Sequence, residues 1–67
     1  MLRRIQVKRY GGAVTEYAWE ADSFPPSIEL VEIRGEKMVR MRYVMICERE
    51  IEGALTAWYG LETEVKK

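Results

Sequence analysis

The sequence predicts an all-β domain of five mainly antiparallel strands: an N-terminal hairpin, a Pro-Pro crossover and a three-stranded meander, forming a twisted sheet or a small, partly open barrel. Three observations carry that reading. Residues 39–65 fold back on themselves at Ile51-Glu52-Gly53 so that almost every residue meets a suitable partner. A second turn, at Gly35-Glu36, assigns the same face to the fourth strand as the long hairpin does. Residues 2–10 and 14–21 alternate apolar and polar on either side of Gly11-Gly12, which is the period of a strand.

In the first hairpin, a loop at Gly11-Gly12-Ala13 sets Val7 opposite Tyr17 and Ile5 opposite Trp19. Lys8 then faces Glu16, and Arg4 faces Glu20. Aromatic–branched and opposite-charge pairs of this kind each contribute roughly 0.2–1 kcal/mol. A two-residue loop at the same glycines shifts the register by one. The break at Asp22-Ser23-Phe24-Pro25-Pro26-Ser27 follows, where two prolines remove ladder donors and the chain crosses rather than pairs. Phe24 is expected to plug one end of the core.

The third strand, residues 28–34, reaches the fourth through Gly35-Glu36, pairing Ile28 with Tyr43, Glu29 with Arg42 and Leu30 with Met41. In the long hairpin a three-residue loop ends on Gly53, where a left-handed residue is needed. It sets Val39 against Val65, Tyr43 against Leu61, Met45 against Tyr59 and Cys47 against Ala57. On the other side Arg40 meets Glu64, Arg42 meets Glu62 and Ile46 meets Trp58. An α+β alternative makes residues 48–59 a helix, since Ile51, Leu55, Trp58 and Tyr59 recur at helical spacing before Gly60. Gly53 in its interior and the loss of every cross-strand match weigh against it.

At 67 residues the chain is a single small β domain, near the lower limit for folding alone. One cysteine gives no internal disulfide, and the absence of histidine leaves a poor ligand set for zinc. Self-association is the stabilising device left over. Eleven basic and eleven acidic residues cancel, so the net field draws the chain to neither nucleic acid nor an anionic membrane. The longest central apolar run, Val44-Met45-Ile46-Cys47, is too short to span a bilayer. Met1-Leu2-Arg3-Arg4 opens no apolar signal stretch, and a lone thiol fits a reducing compartment, so a cytoplasmic location is expected. There is no asparagine and one glutamine, Gln6, a bias of the kind seen in thermophile proteins.

The chemistry is mostly excluded. Histidine, the usual acid–base group near neutral pH, is missing. Cys47 falls on the apolar face and reads as a small core hydrophobe rather than a nucleophile. Glu48, Glu50 and Glu52 alternate toward the hairpin tip; they would suit a hard cation, but a charged tip that resists edge aggregation is the plainer account. No enzyme, cofactor or metal is expected. Nucleic-acid binding remains as an alternative, with Arg40, Arg42, the first-strand Arg3, Arg4, Lys8 and Arg9, and Trp19 or Trp58 as a stacking platform. Against it, Glu29, Glu62 and Glu64 stand across from the arginines. The favoured reading is a self-associating interaction or structural module. Val44, Ile46 and Trp58 cluster on the face that should be wet, and Val31, Ile33 and Met38 at its other end. Either the sheet curls so that the first hairpin covers this face, or another chain does.

Overall fold

The computed structural model describes residues 2–64, with side chains through Glu62. It is all-β: β1 (Leu2–Lys8), β2 (Val14–Ala18), β3 (Ser27–Arg34), β4 (Lys37–Ile51) and β5 (Ala54–Glu64). Among the described residues there is no helix, so residues 48–59 are strand and turn, and none of the described residues form a helix long and apolar enough to cross a membrane. The strands lie in the order β2-β1-β5-β4-β3, a mixed sheet curled into a half-barrel. All neighbours are antiparallel except β1 and β5, which run parallel, Ile5 beside Ala57 and Val7 beside Tyr59. The parallel pair follows from the Pro-Pro crossover: it carries the chain from one edge of the sheet to the other, and the meander returns to β1 with its last strand.

The inner, concave side holds the core. Ile5, Val7, Met41, Tyr43, Ala57 and Tyr59 are buried, with Trp19, Phe24, Ile28, Leu30 and Val39 packed against them. Trp19 and Phe24, on either side of the crossover's start, pack against this core, as expected of Phe24. The two prolines offer no donor, and their carbonyls serve instead. Tyr59 donates its hydroxyl to the Pro25 carbonyl at 2.6 Å, and the Met45 N–H donates to Pro26 at 3.1 Å.

The β3–β4 register is the expected one: Ile28 with Tyr43, Glu29 with Arg42, Leu30 with Met41. Gly35 turns with φ 64°, and Glu36 stays out of the left-handed region, the arrangement of a type II′ turn. The other two hairpins depart from expectation. In the first, Ile5 pairs with Tyr17 and Val7 with Thr15, two residues away from the predicted register, and Lys8 and Arg4 face Val14 and Ala18 rather than Glu16 and Glu20. The loop spans residues 9–13, closed by Arg9 N–H to Ala13 at 2.7 Å and Gly12 N–H to Arg9 at 2.9 Å. A shift of two preserves every face, because side chains alternate with period two.

At the long hairpin the turn is Glu52-Gly53 alone, since Ile51 pairs with Ala54. Both residues have positive φ, 50° and 80°, a type I′ turn whose twist suits the strands. Tyr43–Leu61 and Met45–Tyr59 hold as predicted, whereas Cys47 pairs with Trp58 and Glu48 with Ala57. A bulge at Ile46 reconciles the two stretches, and a second irregularity between Arg42 and Tyr43 sets Arg42 opposite Thr63 and Met41 opposite Glu64. The predicted Ile46–Trp58, Cys47–Ala57 and Arg40–Glu64 pairs are therefore not formed, and the Val39–Val65 pair lies outside the described residues. Met45 (37% exposed) and Leu61 (45%) are not core residues as the face pattern predicts. β3 stops opposite Val44 and β1 opposite Tyr59, so both side chains project beyond the strands that would cover them.

The Glu52-Gly53 turn yields a stability test. Glu52 carries a Cβ in a conformation that asparagine tolerates better, so Glu52→Asn should raise unfolding free energy by about 0.5 kcal/mol. Gly53→Ala should lower it by about 1 kcal/mol. Urea denaturation followed by tryptophan fluorescence measures both.

Candidate functional site

Two clusters stand out once the sheet is in place: a polar one inside it and an apolar one outside. The polar cluster begins with strand parity. Ile28, Leu30 and Glu32 point inward along β3, and Ile5, Val7 and Arg9 do so along β1 and its continuation, so a carboxylate and a guanidinium enter the same end of the half-barrel. Arg9 donates through Nε and, at 2.9 Å, through Nη2 to Glu32, and Nη1 reaches the Tyr17 hydroxyl at 3.0 Å. Tyr43 donates its hydroxyl to Glu32 and accepts the Tyr10 backbone N–H at 3.0 Å. The Arg9 and Glu32 side chains are only 21% and 11% exposed.

Every member of this cluster has a partner, and no buried side-chain polar atom among the described residues lacks one. The Arg9 hydrogen bonds hold the Glu32 carboxyl below the usual carboxylate range, and Arg9 itself is raised, chiefly by Glu32. Burial, then the bond to Glu32, pushes the Tyr43 phenol above its usual value. A matched ion pair with a satisfied phenol has no open coordination or reactive position. It is a clasp across the mouth of the half-barrel.

The apolar cluster lies on the outer face of β4 and β5. On β5 Trp58, Gly60 and Glu62 stand on this face, alternating with inward Ala57, Tyr59 and Leu61, while Ala54 and Thr56, of the same parity, are fully buried. Val44 stands opposite Gly60, and Cys47 opposite Trp58. The bulge between them turns Ile46 over Gly60: a Cβ built on that glycine would lie 2.5 Å from the Ile46 Cδ1. Gly60 is thus the flat seat of Ile46, which is 69% exposed, while Val44 and Trp58 are half-buried. The same bulge moves Cys47 from the predicted core side to the side of Trp58.

Beside this ridge runs a charged belt. Glu29 lies 3.8 Å from Arg40 and 3.7 Å from Arg42, and Arg42 also approaches Glu62 at 3.6 Å. Beyond the belt, Val31 (51%), Ile33 (76%) and Met38 (77%) are exposed. The basic residues of the first strand are elsewhere. Arg4 lies 3.5 Å from Glu16, which also accepts from Gln6 at 2.7 Å. Lys8 is exposed at the strand end, and the Arg3 carbonyl accepts the Trp19 N–H. Trp19 packs on the core, its indole N–H donating to the Ser23 carbonyl at 2.9 Å. Arg40 and Arg42 are brought together with each other and with acids. Arg3, Arg4 and Lys8 lie along β1, separated from β4 by β5, and Trp19 follows β2, so they are not brought together with Arg40 and Arg42.

No family model, curated protein or solved structure matches this chain.

The clasp has a signal in the sequence that the reading above does not use: parity alone puts Glu32 on the side of Ile28 and Leu30, where a carboxylate needs a buried donor. Glu48 and Glu50 stand opposite Ala57 and Leu55 with Glu52 in the turn, and the described residues hold no group of three ligating side chains placed for a metal.

The clasp makes stability depend on pH at both ends. A carboxyl with a depressed folded pKa stabilises the fold above its unfolded value and loses that contribution as pH falls through the folded value. Tyr43, raised when folded, contributes below its unfolded value of about 10 and loses the contribution as pH rises above it. Glu32→Gln should cost about 2 kcal/mol at neutral pH and flatten the acid limb of the stability profile. Tyr43→Phe should cost about 1–2 kcal/mol and flatten the alkaline limb. Urea midpoints across the pH range measure both effects.

Proposed function

We propose that this chain is a small, non-enzymatic interaction module that self-associates through the outer face of β4 and β5, with Val44, Ile46 and Trp58 at the contact. The observation that carries the reading is the bulge at Ile46. Strand irregularities of this kind re-aim a side chain, and here one presents a large aliphatic group to solvent on a glycine seat next to a tryptophan. Burying Ile46 and the edge of Trp58 against a second copy recovers apolar surface that the monomer leaves wet. The mixed-sign belt of Glu29, Arg40, Arg42 and Glu62 beside it supplies polar contacts of either sign to a like surface. A chain of 67 residues without a disulfide also gains stability from association by mass action.

The alternative of a nucleic-acid module has less behind it, because the arginines of the belt lie against carboxylates and Trp19 is engaged with the core and Ser23. A salt titration against single- and double-stranded DNA and RNA separates the two: no binding at low salt removes the nucleic-acid reading.

Ile46→Asp should abolish self-association while leaving the monomer folded, so that the melting temperature no longer rises with protein concentration. Gly60→Ala should weaken association about tenfold by lifting Ile46 from its seat, with stability of the monomer unchanged or slightly higher. Light scattering and concentration-dependent melting test both variants. A wild-type monomer at high micromolar concentration, with Trp58→Ala indifferent in both assays, overturns the proposal.

A further inference from the structure

We propose, on the reading just given that this chain self-associates, that the two copies meet crosswise about a two-fold axis through the charged belt. Val44 and Ile46 of one chain then land on Val31, Ile33 and Met38 of the other, which is the receiving surface that the contact at Ile46 needs.

Strand parity puts both patches on one face. Along β4, Met38, Arg40, Arg42 and Val44 share the outer side at alternate positions, apolar at either end and charged between. β3 sets Ile33 beside Met38 and Val31 beside Arg40, while β5 sets Gly60, the seat of Ile46, beside Val44. One patch therefore leans toward β3 and the other toward β5, with the belt between them.

A stable interface takes about 800 Å² from each partner, spread over about 20 residues or more. Val44, Ile46 and Trp58, two of them half-buried, supply a small part of that. The outer side of a half-barrel is convex across the strands and straighter along them, so a second sheet touches it lengthwise. Toward the hairpin tip the sheet narrows, because β3 ends opposite Val44. In the other direction a lengthened contact crosses the belt and reaches Ile33 and Met38, which are 76% and 77% exposed. The belt does not select the partner. Its two arginines and two glutamates already contact one another within the chain, so covering it leaves no charge unmatched. A foreign partner seated on Ile46 would leave Ile33 and Met38 wet, whereas a second copy covers both patches with one contact made twice.

The axis decides which patch meets which. Running along the line that joins the patches, it sets Ile46 on Ile46, two protruding groups that hold the sheets apart. Running across that line, it sets Ile46 against Ile33 and Met38, and methionine, unbranched and adaptable, accommodates a protruding neighbour. At ~3.3 Å per residue and ~4.8 Å between strands, the line leans about 20° from the strands, so the strands of the two copies cross at about 40°, close to the about 30° of aligned sheets.

The test mixes chains. Ile46→Asp and Ile33→Lys each place a charge in one patch, at side chains exposed enough for the monomer to stay folded, which tryptophan fluorescence checks. Each variant alone should weaken self-association at least tenfold in light scattering. An equimolar mixture should associate at least tenfold more tightly than either variant. The mixed dimer keeps one contact unaltered and sets the new carboxylate against the new ammonium in the other, and native mass spectrometry should find it as the main dimeric species. Met38→Lys replaces Ile33→Lys if that chain does not fold. If the lysine variants associate like wild type while Ile46→Asp does not, the crosswise geometry falls and the contact at Ile46 stands. A mixture no tighter than its components also overturns the crosswise geometry. A wild-type monomer at high micromolar concentration removes both the geometry and the self-association on which it rests.

Discussion

The structure depends on one contact across its own gap: the Arg9 guanidinium on the Glu32 carboxylate, with the Tyr43 hydroxyl bound to the same group. A five-stranded sheet has two edges, and a chain this small has no second layer to lay over its concave face. Curling the sheet is the way to cover that face, and a curl needs something to hold its ends. Arg9 does this from the end of β1, reaching β3 at the far edge. The consequences are local as well as global. Arg9 also opens the loop of residues 9–13 that closes the first hairpin, its own N–H donating to Ala13 in line with the register of β1 on β2. The ion pair is shielded enough for its hydrogen bonds to count, and its phenol partner fixes the mouth of the barrel to Tyr10.

How much of this the sequence discloses depends on which quantity is asked for. Faces are legible, because they require only the period-two alternation: Ile5, Val7, Met41, Tyr43 and Tyr59 are assigned to the core by pattern and are buried. The β3–β4 register is legible too, since a Gly at the first position of a two-residue turn admits few alternatives. The long hairpin is legible only in its middle. Ile51-Glu52-Gly53 and Glu52-Gly53 are both sound turns, and the choice between them rests on whether a glutamate accepts positive φ, which costs little enough for packing to decide. Bulges are invisible to pattern because they arise where two locally preferred registers collide. Burial at strand ends is not legible for a related reason: Met45 and Leu61 carry the right parity, but cover depends on where the neighbouring strands stop.

Charge placement balances the sheet strand by strand. Alternating basic and acidic strands neutralise one another wherever they are neighbours, β1 with β2 and β3 with β4, as the Arg4–Glu16 and Glu29–Arg42 contacts show. The crossover makes β2 and β3 the edges. At one end of the gap between them Arg9 is engaged with Glu32. The other end is filled by Trp19, Phe24 and the prolines, which contribute apolar bulk and carbonyl acceptors but no strand. Closure is thereby accomplished with side chains at both ends and left undone between them.

The bulge at Ile46 carries the same logic to the opposite face. The turn at Glu52-Gly53 fixes one register at the hairpin tip, while the core pairs Tyr43–Leu61 and Met45–Tyr59 fix another, one residue apart. A one-residue mismatch would throw either the tip or the core onto the wrong side of the sheet, so the extra residue must be ejected somewhere between Met45 and Cys47. Because β3 ends opposite Val44, this is also where β4 loses its neighbour and bends at least cost. Ejection toward the concave side would meet the packed ring of Tyr59; ejection outward meets Gly60, which offers no Cβ. The exposed isoleucine beside Trp58 is therefore a product of reconciling a turn with a core, and the glycine beneath it is what directs that residue outward. A surface feature generated by such a constraint is held rigidly, and rigid apolar groups lose little conformational entropy when a second surface covers them.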